Sequence, residues 1–295
     1  MTPDELAWRG RRVRKDLGNA LVGALMVGGY FGMMALPLGA AALLVGGLTG
    51  AAVAGWGLRG VHRRRWNLVV GALNTSFNLI ALGKLGEAEA LLCAIAAAPR
   101  FVWVQRLTDI QRAVIAIRRG DMEVAERHLN DAIARPLGRL AREDSHLQIE
   151  GAHALRAFVR AARGRREAAL EDVARVRGSA TAGDDALARV ALAEAMILER
   201  SGQREELRAL LERDRELLIE HTHPRERAIV RAFQRMLRAS AGSVYRQTAP
   251  REPEPVAPGV EEPKLSDWVA KIAPGAAPFV RSPRAAGAAP ARAQA

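Results

Sequence analysis

Four short stretches recur along the middle of this chain: GKLGEA (Gly83–Ala88), GDMEVA (Gly120–Ala125), GRREAA (Gly164–Ala169) and GQREEL (Gly202–Leu207). Each is a glycine, four residues, then a small or apolar residue, and the glycines are 37, 44 and 38 residues apart. Glycine is the residue best suited to end a helix in the left-handed conformation. An alanine five positions later sits where a second helix crosses the first closely. The flanking apolar residues follow helical spacing, as at Val190, Ala193 and Ile197. The pattern predicts helices near 67–82, 85–97, 102–118, 121–134, 140–162, 165–176, 183–200, 203–220 and 224–240. The expected fold is all-α. One helix pair cannot bury its apolar face alone, so neighbouring pairs must stack.

The turns carry a resemblance. Gly83, Gly120, Gly164 and Gly202, followed by Ala88, Ala125 and Ala169, resemble the turn of the tetratricopeptide repeat; Leu207 stands in the fourth copy. Pro99 and Pro136 resemble the proline that ends such a repeat. The resemblance spans 67–242 and implies an α-solenoid of helix pairs that binds peptides or proteins in a concave face. An irregular helical bundle is the alternative.

A different kind of sequence precedes the repeats. Leu17 to Leu58 is a run of 42 residues without a formal charge. As one helix it would reach about 63 Å, twice a bilayer core of about 30 Å. Pro37 divides it into Leu17–Leu36 and Leu38–Leu58, of 20 and 21 residues, which suits two crossings joined by a tight turn. Arg9, Arg11, Arg12, Arg14 and Lys15 precede the run, and Arg59, Arg63, Arg64 and Arg65 follow it. The positive-inside rule places both flanks, and both termini, on the cytoplasmic side. The arginines then lock topology and contact anionic headgroups of membrane lipid. Ala20, Ala24, Gly28 and Gly32, and again Ala42, Gly46, Gly50 and Ala54, form small-residue stripes for close helix packing in the membrane. They serve to close the hairpin or to meet another membrane protein. The expectation is a transmembrane helical hairpin of bacterial inner-membrane type: a basic N-terminus at 1–16, spans at 17–58 and a basic juxtamembrane segment at 59–66.

The charge distribution bears on nucleic acid. The net charge is +12. Residues 1–65 hold nine Lys/Arg against three Asp/Glu, whereas 66–245 hold 28 against 24. Half of the excess flanks the apolar run, which argues against a phosphate-binding face. No nucleic-acid partner is expected. The single cysteine, Cys93, excludes an intrachain disulfide and reads as a small core residue.

Chemistry-bearing patterns are sparse. Glu150 and His153 form E-x-x-H, but a di-iron bundle needs a second such pair. His146 lies seven residues before His153, and His221 and His223 stand before Pro224; none has metalloprotease spacing. There is no phosphate-binding loop and no nucleophile elbow. Arg204, Arg208 and Arg215 interleave with Glu205, Glu206, Glu212 and Glu216 as solvated helix pairs. The reading is no enzyme, no cofactor, no metal and no small-molecule substrate.

After the repeats, 243–263 is rich in proline and glutamate and 281–295 in alanine, proline and arginine; both read as disordered. Between them, at 264–280, Leu265, Trp268, Val269 and Ile272 make one apolar helical stripe. Ser266 is placed to cap this helix and Pro274 to stop it. So short a helix is marginal alone, which predicts docking on these repeats or on another protein. The function expected is a membrane-anchored protein–protein interaction scaffold with a cytoplasmic helical-repeat domain and an unidentified protein or peptide partner. The alternative is an accessory or assembly subunit of an inner-membrane complex, recognised through its small-residue spans.

Overall fold

The computed structural model describes residues 66–96, 102–136, 143–240 and 262–280, and before them 2–5 and the isolated positions 9, 12, 15, 19, 22, 59, 60, 63 and 64. Apart from Asn19 and Val22, the apolar run 17–58 lies outside the described residues, as do Arg11, Arg14, Arg65, Pro99, most of the 243–263 linker and 281–295. Arg9, Arg12, Lys15, Arg59, Arg63 and Arg64 are exposed helical positions. Among the described residues, no helix is long and apolar enough to cross a membrane. Those residues are all-α, without a strand.

The chain divides into two compact units, Met1–Leu82 with Gly86–Arg100, and Gly83–Leu85 with Phe101–Ala295. In the first, α1 covers 66–81 and α2 is Leu85–Ala96. Val69, Ala72, Leu73 and Ile80 are buried on α1, and Ala88, Leu91, Leu92 and Ile95 on α2. Cys93 is exposed, contrary to its reading as a core residue. The reason is local: Ala88, Leu91, Leu92 and Ile95 define one helical face, and position 93 points off it.

The second unit is built from helix pairs. These are α3 (Val102–Arg119) with α4 (Met122–Ala134), α5 (Glu143–Ala162) with α6 (Arg166–Arg177), and α7 (Asp184–Arg200) with α8 (Arg204–Arg213). A short α9 (Arg215–Glu220) and a long α10 (Pro224–Ser240) complete the stack. Each pair packs on itself, and α5 also packs on α4 and α7, so adjacent helices associate as in a helical repeat.

Three turns share one hydrogen-bond pattern. Gly120 N donates to Ile117 O and Asp121 N to Ala116 O, at 3.0 and 2.8 Å. Gly164 with Arg165, and Gly202 with Gln203, repeat both bonds. This double bond is the Schellman motif, which requires positive φ at the glycine. The φ values are 78°, 76° and 70°, and Gly83 has 75°. Ala88, Ala125, Ala169 and Leu207, five positions after their glycines, are all fully buried.

Two segments depart from the sequence expectation. The single helix over 203–220 is broken at Asp214, where the backbone takes φ −99° and ψ 21°. The Asp214 carboxylate is held there by Arg213 at 2.9 Å and by Arg177 of α6 at 3.3 Å. A distant arginine thus meets a residue that favours leaving a helix. Helix α10 begins with Pro224 after His223, and Glu226 accepts a hydrogen bond from His223 N at 2.9 Å, closing the first turn. Its Ile229, Val230, Phe233 and Leu237 enter the core shared by α3–α8.

Candidate peptide-binding groove

The feature that gathers most side chains is the docking of residues 262–280 onto the helix pairs. This segment forms α11 (Leu265–Ile272) and a 3-10 turn, Pro274–Phe279. Glu262, ahead of the apolar stripe, is held against the helix pairs as well. Trp268 is 1% exposed, and Val269 and Ile272 are fully buried; Leu265 is partly buried against the same core. Burying each such side chain contributes about 1.5–3 kcal/mol. All three belong to one continuous cluster with Ile117, Val159, Leu192, Met196 and Phe233.

The indole finds a specific acceptor. Trp268 Nε1 donates to Ile117 O at 2.7 Å. That carbonyl lies in the last turn of α3, whose final carbonyls have no continuing helix to serve. It already accepts from Gly120 N, and the indole takes its second lone pair. The Arg225 guanidinium lies 5.6 Å from the Trp268 ring centroid, within cation–π range.

A charge clamp sits ahead of the indole. Glu262 takes Arg118 at 2.9 Å and Arg225 at 2.6 Å on its two oxygens, with its side chain only 6% exposed. Arg225 also donates to Pro263 O at 2.8 Å. Arg118 donates to His223 Nε2. Burial, followed by the nearby Arg118, Arg189, Arg225 and Arg227 charges, pushes His223 down to about 4. At neutral pH it is therefore an uncharged acceptor, and Glu262 offsets one of the two guanidinium charges.

Two arginines hold the segment farther along. Arg200 bridges Ala162 O, at the end of α5, and Ile272 O, the latter at 3.2 Å. Arg235 of α10 donates to Phe279 O at 2.9 Å. At Gly275 the backbone lies so close to Glu199 that a Cβ would fall 1.6 Å from its Oε1. Glu199 Oε2 is buried with no hydrogen-bond partner among the described residues. Burial, opposed by Arg200, raises the Glu199 carboxyl above its ordinary value.

The helix boundaries agree with the apolar stripe, but the capping does not. Lys264 is the N-cap, without a side-chain cap bond, and Ser266 Oγ turns to Asp267 at 3.2 Å. Lying inside the first turn, Ser266 is two positions too late to cap it. Pro274 ends α11 but opens the 3-10 turn, where a missing N–H costs nothing.

Of the Glu150–His153 motif, His153 joins a hydrogen-bonded tie between helices, whereas Glu150 Oε2 is buried with no hydrogen-bond partner among the described residues. His153 of α5 meets Asp172 of α6 at 2.8 Å, and Arg156 and Arg160 reach the same carboxylate at 2.7 and 2.9 Å. Arg160 and Arg163 also bind Glu126 of α4, at 3.2 and 2.5 Å. For both carboxylates burial alone would raise the pKa, but the hydrogen bonds from His153 and Arg156 to Asp172, and from Arg160 and Arg163 to Glu126, hold it below the ordinary range. Glu150 and His153 are buried, whereas His146 is exposed. Among the described residues, no three His, Cys, Asp or Glu groups are placed to hold a metal ion. Buried Arg106 caps the end of α4, donating to Ala132 O at 3.1 Å and Arg135 O at 2.6 Å.

Sequence reading marked Leu265, Trp268, Val269 and Ile272 but missed Glu262, Gly275, Arg118, Arg225 and Arg200. Against known proteins, the chain matches no family model, no curated protein and no solved structure.

Proposed function

We propose that this protein is a membrane-anchored interaction scaffold, with its helical-repeat domain on the cytoplasmic side. The observation that supports this reading is the groove. Stacked helix pairs hold a separate amphipathic helix by a buried indole, a two-arginine clamp and main-chain acceptors. A module that holds one such segment has the chemistry to hold others. The anchoring part rests on sequence: an uncharged run of 42 residues between basic flanks.

A reporter active only outside the cytoplasm, fused at Ala241, tests the orientation. The fusion should be inactive, and strong activity refutes the cytoplasmic placement. Replacing 17–58 with an unrelated two-span hairpin tests where recognition lies. Retained partner capture supports the scaffold; its loss supports the alternative, an accessory subunit recognised through its spans.

A further inference from the structure

We infer that the groove is an exchangeable site, and that residues 262–279 are its built-in competitor for a helical segment of a partner protein. This inference rests on the scaffold reading above. The partner segment carries a carboxylate six positions ahead of a tryptophan, and apolar residues one and four positions after it, as do Glu262, Trp268, Val269 and Ile272.

Three observations carry it. The anchor contacts need no covalent continuity with the repeats: an indole N–H on a helix-end carbonyl, a carboxylate between two guanidiniums, and three apolar side chains in a shared core. Any chain with those groups in that order satisfies them. Charge complementarity selects an acidic segment, because Arg118 and Arg225 converge on one carboxylate beside an uncharged His223. Finally, the resident segment fits imperfectly. Gly275, which has no Cβ, lies against the Glu199 carboxylate but brings it no donor, and Glu199 Oε2 stays buried without a hydrogen bond among the described residues. A partner that donates a hydrogen bond there makes a contact the resident lacks.

The same facts argue against a second copy as the occupant. An identical segment from another chain gains no contact over the resident one, which competes at an effective concentration on the order of mM. Exchange therefore calls for a ligand with better contacts.

The test uses full-length protein in detergent and a fluorescent peptide of residues 260–280, read by anisotropy. Three chains are compared: wild type, Trp268→Ala, and a chain ending at residue 260. The peptide should bind the two altered chains at least tenfold more tightly than wild type. A Glu262→Gln peptide, or an Arg225→Gln substitution in the truncated chain, should weaken binding at least fivefold. Excess peptide should also speed hydrogen exchange at residues 265–272 of the wild-type chain. No saturable binding to the truncated chain, with its helical circular dichroism intact, overturns the inference. So does equal binding of the Glu262→Gln peptide. Concentration-dependent dimers of wild type that Trp268→Ala abolishes would assign the groove to a second copy and overturn it too. The orientation reporter is independent of all these outcomes, so a failed exchange and a failed scaffold reading are distinguishable.

Discussion

Two turn glycines with nearly the same backbone allow the docked segment to be weighed. Gly120 has φ 78° and Gly202 has φ 70°. A left-handed residue with a Cβ costs about 1–2 kcal/mol, so alanine at either position should destabilise by that amount. Their surroundings differ. A Cβ at Gly202 meets nothing within 4 Å, whereas at Gly120 it meets Lys271 Cδ at 3.2 Å and Trp268 Cδ1 at 3.8 Å. The first of these contacts is tight enough to push on α11. Gly120→Ala should therefore lose up to about 1 kcal/mol more than Gly202→Ala, of the order of one off-rotamer side chain. In a domain of this size each kcal/mol lowers Tm by about 2–4 °C. Urea and thermal melts of a fragment of residues 66–295 would measure both losses. The excess at Gly120 should disappear when the fragment ends at residue 245, because the contact is then gone. Coupling above about 0.5 kcal/mol exceeds ordinary non-additivity between independent sites. Equal losses in the longer fragment, or an excess that survives truncation, would refute the contact. No loss at either glycine would refute the left-handed turn itself.

The fragment of residues 66–245 should fold without the apolar run, because most of the core lies within it. It should melt cooperatively, but below the 66–295 fragment, since Trp268, Val269 and Ile272 leave the core; a disordered fragment would show that the repeats need further chain. The pH dependence should have opposite signs at two places. Asp172 and Glu126 are depressed, so their stabilisation is present above the unfolded carboxylate range of about 4 and is lost as pH falls through the folded values. Glu199 is raised, so its contribution is complete below its unfolded value and is lost as pH rises through the folded one. Glu199→Gln should therefore slow hydrogen exchange in α11 at pH 7, and faster exchange would contradict this account.

The parts of the fold legible in sequence were those set by local chemistry. Positive φ demands glycine within a few residues of a helix end, so Gly83, Gly120, Gly164 and Gly202 announce their turns without further context. The stripe Leu265, Trp268, Val269 and Ile272 is likewise a local pattern. What escaped depends on distant partners. Asp214 breaks a helix where Arg177 of α6 reaches it. Glu262 lies in a run of prolines and glutamates that gives it no distinction, and its meaning comes from Arg118, 144 residues away. The spacing of Glu150 and His153 was readable, but not that Asp172 takes the imidazole.

The groove follows from the same turns that made the repeats readable. Every Schellman turn satisfies some of the last carbonyls of its helix and leaves lone pairs on others. Because the turns recur in each pair, these helix ends form a series of acceptors. The docked segment lies along that series at successive pairs, donating at the first and accepting from Arg200 of α7 at the second. Its indole takes Ile117 O beside Gly120, and Arg200 ties Ala162 O beside Gly164 to Ile272 O. Its Gly275 lies over Glu199, whose carbonyl accepts Gly202 N. At the first two places a donor meets an acceptor. At the third the segment brings a glycine to a carboxylate and supplies no donor. The mismatch therefore lies at one end of the segment, remote from the clamp and the indole. Release should begin there, with residues 274–279 exchanging before 265–269. If α11 instead exchanges first while 276–279 stay protected, the clamp and not Glu199 is the weak point.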